Sequence, residues 1–265
     1  MINYLEDKDL EFLKNCPNED LKALADLLVF NEKGKKRWNE KLSQKKTYME
    51  NYPNNLRNAV DDIILELQCY GAHTVASAAR EIFGKNPGVS YKEILMDICK
   101  KKKINFNDNS STERIEYHLI QNIIEEVLLN ASDEDILAIA KEFGLSITGT
   151  ESRERIIDDI LEKSTSPDFY YIITNIVDTA VRIGPDSKDV IVAGAGVGVA
   201  QGAKYLIKAA LPRFVGLAIP GINVLMWTWL ISDVINIVGG PAFRITVPAV
   251  ILIINLRQKM KKCLE

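Results

Sequence analysis

Between residues 189 and 256 the chain carries six charged side chains: Asp189, Lys204, Lys208, Arg213, Asp233 and Arg244. The first 188 residues hold 58 of the 69 charges. A stretch so poor in charge is at home in only two media, lipid or a deep protein core. The overall net charge of −3 conceals a split: residues 1–188 sum to −8 and residues 189–265 to +5. A basic, apolar tail suits an anionic membrane surface.

Three segments make up that tail. In 190–211, Gly194, Gly198 and Gly202 fall four apart. On a helix they share one face, and the missing side chains let another backbone approach closely, as small residues do in paired membrane helices. Lys204 and Lys208 lie on the same helix, within reach of lipid head groups. Segment 214–232 has no charge over 19 residues, close to a membrane span in length. Pro220-Gly221 interrupts it, and Trp227 and Trp229 lie near one end, where interfacial aromatics gather. Segment 245–256 is short for a span and suits a re-entrant or buried helix. It ends in Arg257, Lys259, Lys261 and Lys262, a basic group for the cytoplasmic surface. The alternative for all three is an unusually apolar soluble core, which the interruptions at Pro212, Pro220, Gly239-Gly240-Pro241 and Pro248 support.

Ahead of residue 183 nearly every segment reads as helix. Asp7 caps a short helix carrying Leu10 and Leu13, and Pro17 opens the next, with Leu21, Leu24, Leu27 and Leu28 on one face. Gly34 breaks the chain before a charged helix through Trp38 and Leu42. Pro53 opens a helix with Leu56, Val60, Ile63, Ile64 and Leu67, ended by Gly71. Ser90 with Glu93 and Ser110 with Glu113 have capping-box spacing. The run of lysines from 100 to 103 closes a helix where cations favour its dipole. Ser132 starts a helix ending near Gly144, another starts near Ser152, and Ser166-Pro167 opens one more that closes at Gly184-Pro185.

Several chemistries lack their residues. Cys16, Cys69, Cys99 and Cys263 form no CxxC pair, and His73 and His118 supply no metal-ligand spacing. P-loop, HExxH, EF-hand and nucleophile-elbow patterns are missing, so no catalytic, cofactor or metal residue is expected. Gly194 and Gly196 imitate a dinucleotide turn, but the third glycine position holds Val199 and no acid follows at the required distance. Residues 133–163 resemble the helix–loop–helix of SAP-like nucleic-acid modules. There Arg153 and Arg155 stand beside Asp158, Asp159 and Glu162, a poor balance for phosphate. Met1 to Asp9 is acidic and has no apolar h-region, so a cytoplasmic start is expected.

Dispersed motifs bring a family into view. Asp9-Leu10-Glu11-Phe12-Leu13, Asn31-Glu32-Lys33-Gly34-Lys35 and the closing Gly240-Pro241-Ala242-Phe243-Arg244-Ile245-Thr246-Val247-Pro248-Ala249-Val250 resemble the YaaW-like family of uncharacterised bacterial proteins. Glu66-Leu67-Gln68-Cys69-Tyr70-Gly71 and Tyr91-Lys92-Glu93-Ile94-Leu95-Met96-Asp97-Ile98 are similar to a segment of ubiquinol–cytochrome c chaperone-like proteins. The resemblance implies a bacterial, helical, non-catalytic protein and brings no reaction with it.

The expectation is an all-α protein in four regions: an N-terminal helical segment (1–50), a chaperone-like helical region (51–130), a helix–loop–helix region (131–185) and an apolar region of helical hairpins (186–265). The N-terminal part binds a protein partner. The apolar part contacts inner-membrane lipid, or pairs in a homo-oligomer, through Gly194, Gly198, Gly202, Trp227, Trp229, Lys259, Lys261 and Lys262, anchoring or permeabilising the bilayer. The rivals are a soluble chaperone-like or scaffold protein and a nucleic-acid-associated protein acting through residues 133–163.

Overall fold

The computed structural model describes residues 5–31, 34–72, 88–183 and 242–264. Among them the protein is all-helical, with nine α-helices and three short 3-10 helices. The α-helices are α1 (Asn18–Val29), α2 (Lys46–Asn51), α3 (Val60–Ala72), α4 (Tyr91–Lys101), α5 (Thr112–Asn130), α6 (Asp133–Glu142), α7 (Arg153–Ser164), α8 (Pro167–Ile183) and α9 (Phe243–Lys262).

Side-chain caps account for several of the helix starts. The Asp7 carboxylate accepts the Asp9 N–H at the head of the 3-10 helix Lys8–Asn15. Ser90 and Glu93 close a reciprocal capping box on α4. Ser132 and Ser152 cap α6 and α7 by accepting the N–H two residues into the next turn, from Asp135 and Arg155. Each such cap satisfies a backbone donor that the helix itself leaves unpaired. On α5 the expected Ser110 gives way to Ser111, whose hydroxyl accepts the Arg114 N–H.

Two local expectations change. Residues 35–41 form no charged helix. Phe30 and Lys36 make an isolated antiparallel bridge around a turn in which Gly34 takes φ +69°, and the chain then enters the 3-10 helix Leu42–Gln44. A helix there would have only Trp38 and Leu42 to bury, too little apolar surface to hold it. Pro53 opens no α-helix: it lies in a turn ahead of the 3-10 helix Leu56–Ala59 and α3, whose last described turn holds Gly71. A β-carbon at Gly71 would overlap Ile94 Cγ1 and Cδ1, so the glycine lets α3 and α4 pack closely.

The chain divides into two compact units, one of Met1–Leu119 with Val238–Glu265, the other of Ile120–Ile237. The division passes through α5 and returns α9 to the N-terminal helices, a grouping different from boundaries at 50, 130 and 185. Within the first unit α9 packs against α1, α3, α4 and the 3-10 helix Lys8–Asn15. Its residues 245–247 and 249–257 are all buried, so this segment takes the buried-helix form of the two expected, with Pro248 inside the helix. Each large apolar side chain buried there contributes about 1.5–3 kcal/mol, which fixes α9 as the spine of the unit. Within the second unit α7 packs against α6 and α8, and Phe143 stacks on Phe169 with centroids 4.9 Å apart.

Segments 190–211 and 214–232, with Gly194, Gly198, Gly202, Trp227 and Trp229, lie outside the described residues, as does the expected hairpin arrangement. None of the described helices is long and apolar enough to cross a membrane.

Candidate functional site

Four sequence-distant segments of the first unit meet around the Arg257 guanidinium, in the last turns of α9. Its Nε donates to both Glu116 carboxylate oxygens, at 3.2 and 3.1 Å, and its Nη2 donates to the Asp9 carbonyl at 2.7 Å. The cation lies over the Phe12 ring, 4.5 Å from its centroid. Tyr91 donates its hydroxyl to Glu116 Oε1 at 2.7 Å, and its backbone N–H donates to Asp7 Oδ2 at 2.6 Å. Thr112 donates to Asp9 Oδ2 at 2.5 Å. Gln68, fully buried on α3, exchanges two hydrogen bonds with the Leu5 backbone, at 2.9 and 2.6 Å.

Glu116 is 1% exposed. Burial pushes its carboxyl up, while the Arg257 charge and the Tyr91 hydroxyl oppose that rise. Burial raises Asp7 as well, against the Tyr91 and Asp9 N–H groups that stabilise its charged form. The carboxylates and the cation spend their hydrogen bonds on one another and on backbone. The arrangement therefore acts as a clasp joining the first fifteen residues, α4, α5 and α9. Among the described residues no group of three or more His, Cys, Asp or Glu side chains is placed to hold a metal ion.

The expected basic cluster is partly turned inward. Arg257 belongs to the core, Lys259 pairs with Asp20 at 3.2 Å, and Lys261 pairs with Glu113 at 2.7 Å. Lys262 is exposed on the last turn of α9. In the second unit, Arg153 binds Asp133 and donates through Nη2 to the carbonyls of Leu128, Leu129 and Ala131, finishing the C-terminal end of α5. Arg155 is exposed. His118 is half-buried, with the Tyr117 ring 5.9 Å away edge-on, and His73 lies outside the described residues.

Two features escaped the sequence reading. The clasp has no local signal, because Arg257 and Glu116 are 141 positions apart. The second did have one: residues 33–46 hold seven basic side chains and one acidic, the latter being Glu40. Trp38, in the midst of them, is 96% exposed.

An all-helical fold, closed by a buried ion pair between its last helix and its middle, defines a helical protein built around an N-to-C-terminal clasp. The chain belongs to the UPF0174 family. It is 33% identical to a UPF0174 protein of Helicobacter pylori strain J99 over 99% of this chain and 95% of that one. It is 28% identical to the UPF0174 protein YaaW of Escherichia coli K12, over 97% of this chain and 96% of the relative. A domain of unknown function, DUF3944, matches residues 4–38, which include the 3-10 helix Lys8–Asn15, α1 and Trp38. No solved structure matches the chain.

Proposed function

We propose that this is a non-enzymatic helical protein that binds a partner through its N-terminal unit and associates with the bacterial inner membrane through the apolar, glycine-rich stretch before α9. The observation that carries this reading is compositional. Residues 190–241 hold four charged side chains, Lys204, Lys208, Arg213 and Asp233. The first unit has a core helix in α9. In the proposed arrangement it forms helical hairpins that bury the Gly194, Gly198 and Gly202 face and segment 214–232 in lipid or against a second copy. Trp227 and Trp229 lie at the interface. Lys261 and Lys262 are exposed on the last turn of α9, while Lys259 pairs with Asp20.

Liposome flotation of the full chain tests the membrane reading. The full chain is expected to float with vesicles, and a variant with Leu217→Lys and Leu225→Lys to stay at the bottom. Recovery of the unmodified chain entirely at the bottom would overturn it. A soluble chaperone-like or scaffold protein is the second reading, favoured by α9, whose apolar sequence serves a protein core. The nucleic-acid reading through residues 133–163 loses support, since Arg153 spends its donors inside the chain.

A further inference from the structure

Trp38 stands on a backbone that is pinned on both sides while its indole covers nothing. Asn31 N–H donates to the Lys35 carbonyl and Gly34 N–H to the Asn31 carbonyl, closing the turn. Arg37 N–H donates to the Val29 carbonyl, and the Arg37 Nε to the Leu27 carbonyl. Beyond Trp38, Asn39 accepts from the Tyr70 hydroxyl, and Lys41 N–H donates to the buried Glu66 carboxylate at 3.0 Å. The Glu40 carboxylate, itself 5% exposed, is held by the Ser43 N–H and hydroxyl. The acid that would balance the local charge thus faces inward. Lys35, Lys36 and Lys41, each within three positions of Trp38, are exposed. The result is a small finger held to α1 and α3 by hydrogen bonds, strongly basic in a chain of net charge −3.

An aromatic side chain 96% exposed on a fixed backbone gives no folding benefit in water. Indole favours the boundary between head groups and acyl chains, and lysines beside it favour an anionic surface. Stacking on single-stranded nucleic acid uses aromatic side chains for successive bases, whereas residues 33–46 contain Trp38 as their one aromatic. We infer that the finger around Trp38, with Lys35, Lys36 and Lys41, is a docking site for anionic phospholipid, a second membrane contact separate from the apolar stretch. This rests on the membrane reading above and adds to it a preference for acidic head groups.

Trp38 emission reads the contact directly in the full chain carrying Trp227→Phe and Trp229→Phe. Vesicles of phosphatidylcholine with phosphatidylglycerol are expected to shift the emission to the blue, and brominated acyl chains to quench it. Phosphatidylcholine alone leaves it unshifted. Lys35→Glu with Lys36→Glu and Lys41→Glu is expected to weaken the anionic-vesicle response by about tenfold or more, since each lysine near such a surface contributes measurably. These side chains are exposed, and an unchanged melting curve confirms that the variant is folded. Flotation of the chain with Trp38 emission unchanged overturns the finger but not the apolar contact. No flotation and no shift overturns both. A shift with a single-stranded oligonucleotide but not with anionic vesicles also overturns the proposal, in favour of nucleic acid.

Discussion

Replacing Arg257 by Leu strands Glu116 in a site where it is 1% exposed, with Tyr91 as its remaining polar contact. Breaking a buried ion pair from one side costs about 3–5 kcal/mol, and urea unfolding is expected to show a loss of that size. A triple variant, Arg257→Leu with Glu116→Leu and Tyr91→Phe, removes the orphaned groups and is expected to recover more than half of it. Glu66 gives a pH test. Burial raises its carboxyl above the usual carboxylate range, nearby Glu40 adds to this, and the Lys41 N–H opposes it. The folded state therefore prefers neutral Glu66. Its contribution to stability is fully present below the ordinary value of 4.5 and is lost as pH rises through the elevated one. Glu66→Gln holds the side chain neutral and keeps an acceptor for Lys41. Thermal melts are expected to place the variant above the parent at pH 7, with the difference closing below pH 4.5. Residue roles were legible where the partner is a near neighbour, as with Asp7, Ser90, Ser132 and Ser152. Arg257 was read as a surface cation because its partner is set by helix packing, which no local spacing reports.

Element by element, apolar periodicity and capping foretold most of the described helices from Lys8 to Ile183, but not α2 and not the start of α3, expected at Pro53 and found at Val60, while the segment around Trp38 was expected as a helix and is none. That segment misled because helix propensity and charge imitate a helix with nothing to bury. Nor did sequence show that α5 ends on a side chain from another helix. Arg153 reaches across from the start of α7 with its planar fork and satisfies carbonyls that the last turn of α5 leaves open. Lysine has the charge but lacks the fork. Arg153→Lys is accordingly expected to behave much like Arg153→Ala, each losing about 1–2 kcal/mol, in line with other helix-end contacts. Hydrogen exchange should locate the loss: Arg153→Ala is expected to speed exchange in the last turn of α5 and the first turn of α7, leaving α4 and α9 unchanged. Full rescue by lysine would reduce the role of Arg153 to charge alone.

At the scale of the whole molecule, chain continuity constrains the proposed membrane contact. Residues 88–183 are described throughout, and none of the described helices has the length and apolarity to cross a bilayer. In the proposed arrangement residues 112–183 lie on one side of the bilayer. At the other end, α9 is fastened to α5 by Arg257 and Glu116, and the proposed arrangement keeps Phe243 on that side too. On that proposal residues 184–241, 58 in number and outside the described residues, leave and return on one side, with an even number of crossings. At about 20 residues for each crossing, the choice is a two-legged hairpin or a re-entrant loop. A single crossing, the simplest reading of the 19 uncharged residues in 214–232, is set aside in this proposal because it does not fit the clasp. Two cysteines test this from the ends. Cys263 is exposed, whereas burial raises the Cys16 and Cys99 thiols to about 11 and about 12 and keeps them unreactive. With Cys69→Ala and Ser187→Cys added, an impermeant maleimide applied to membrane vesicles of known orientation is expected to label positions 187 and 263 from the same face. Labelling from opposite faces would show that α9 is held apart from α5 by the bilayer, which the Arg257–Glu116 pair does not permit.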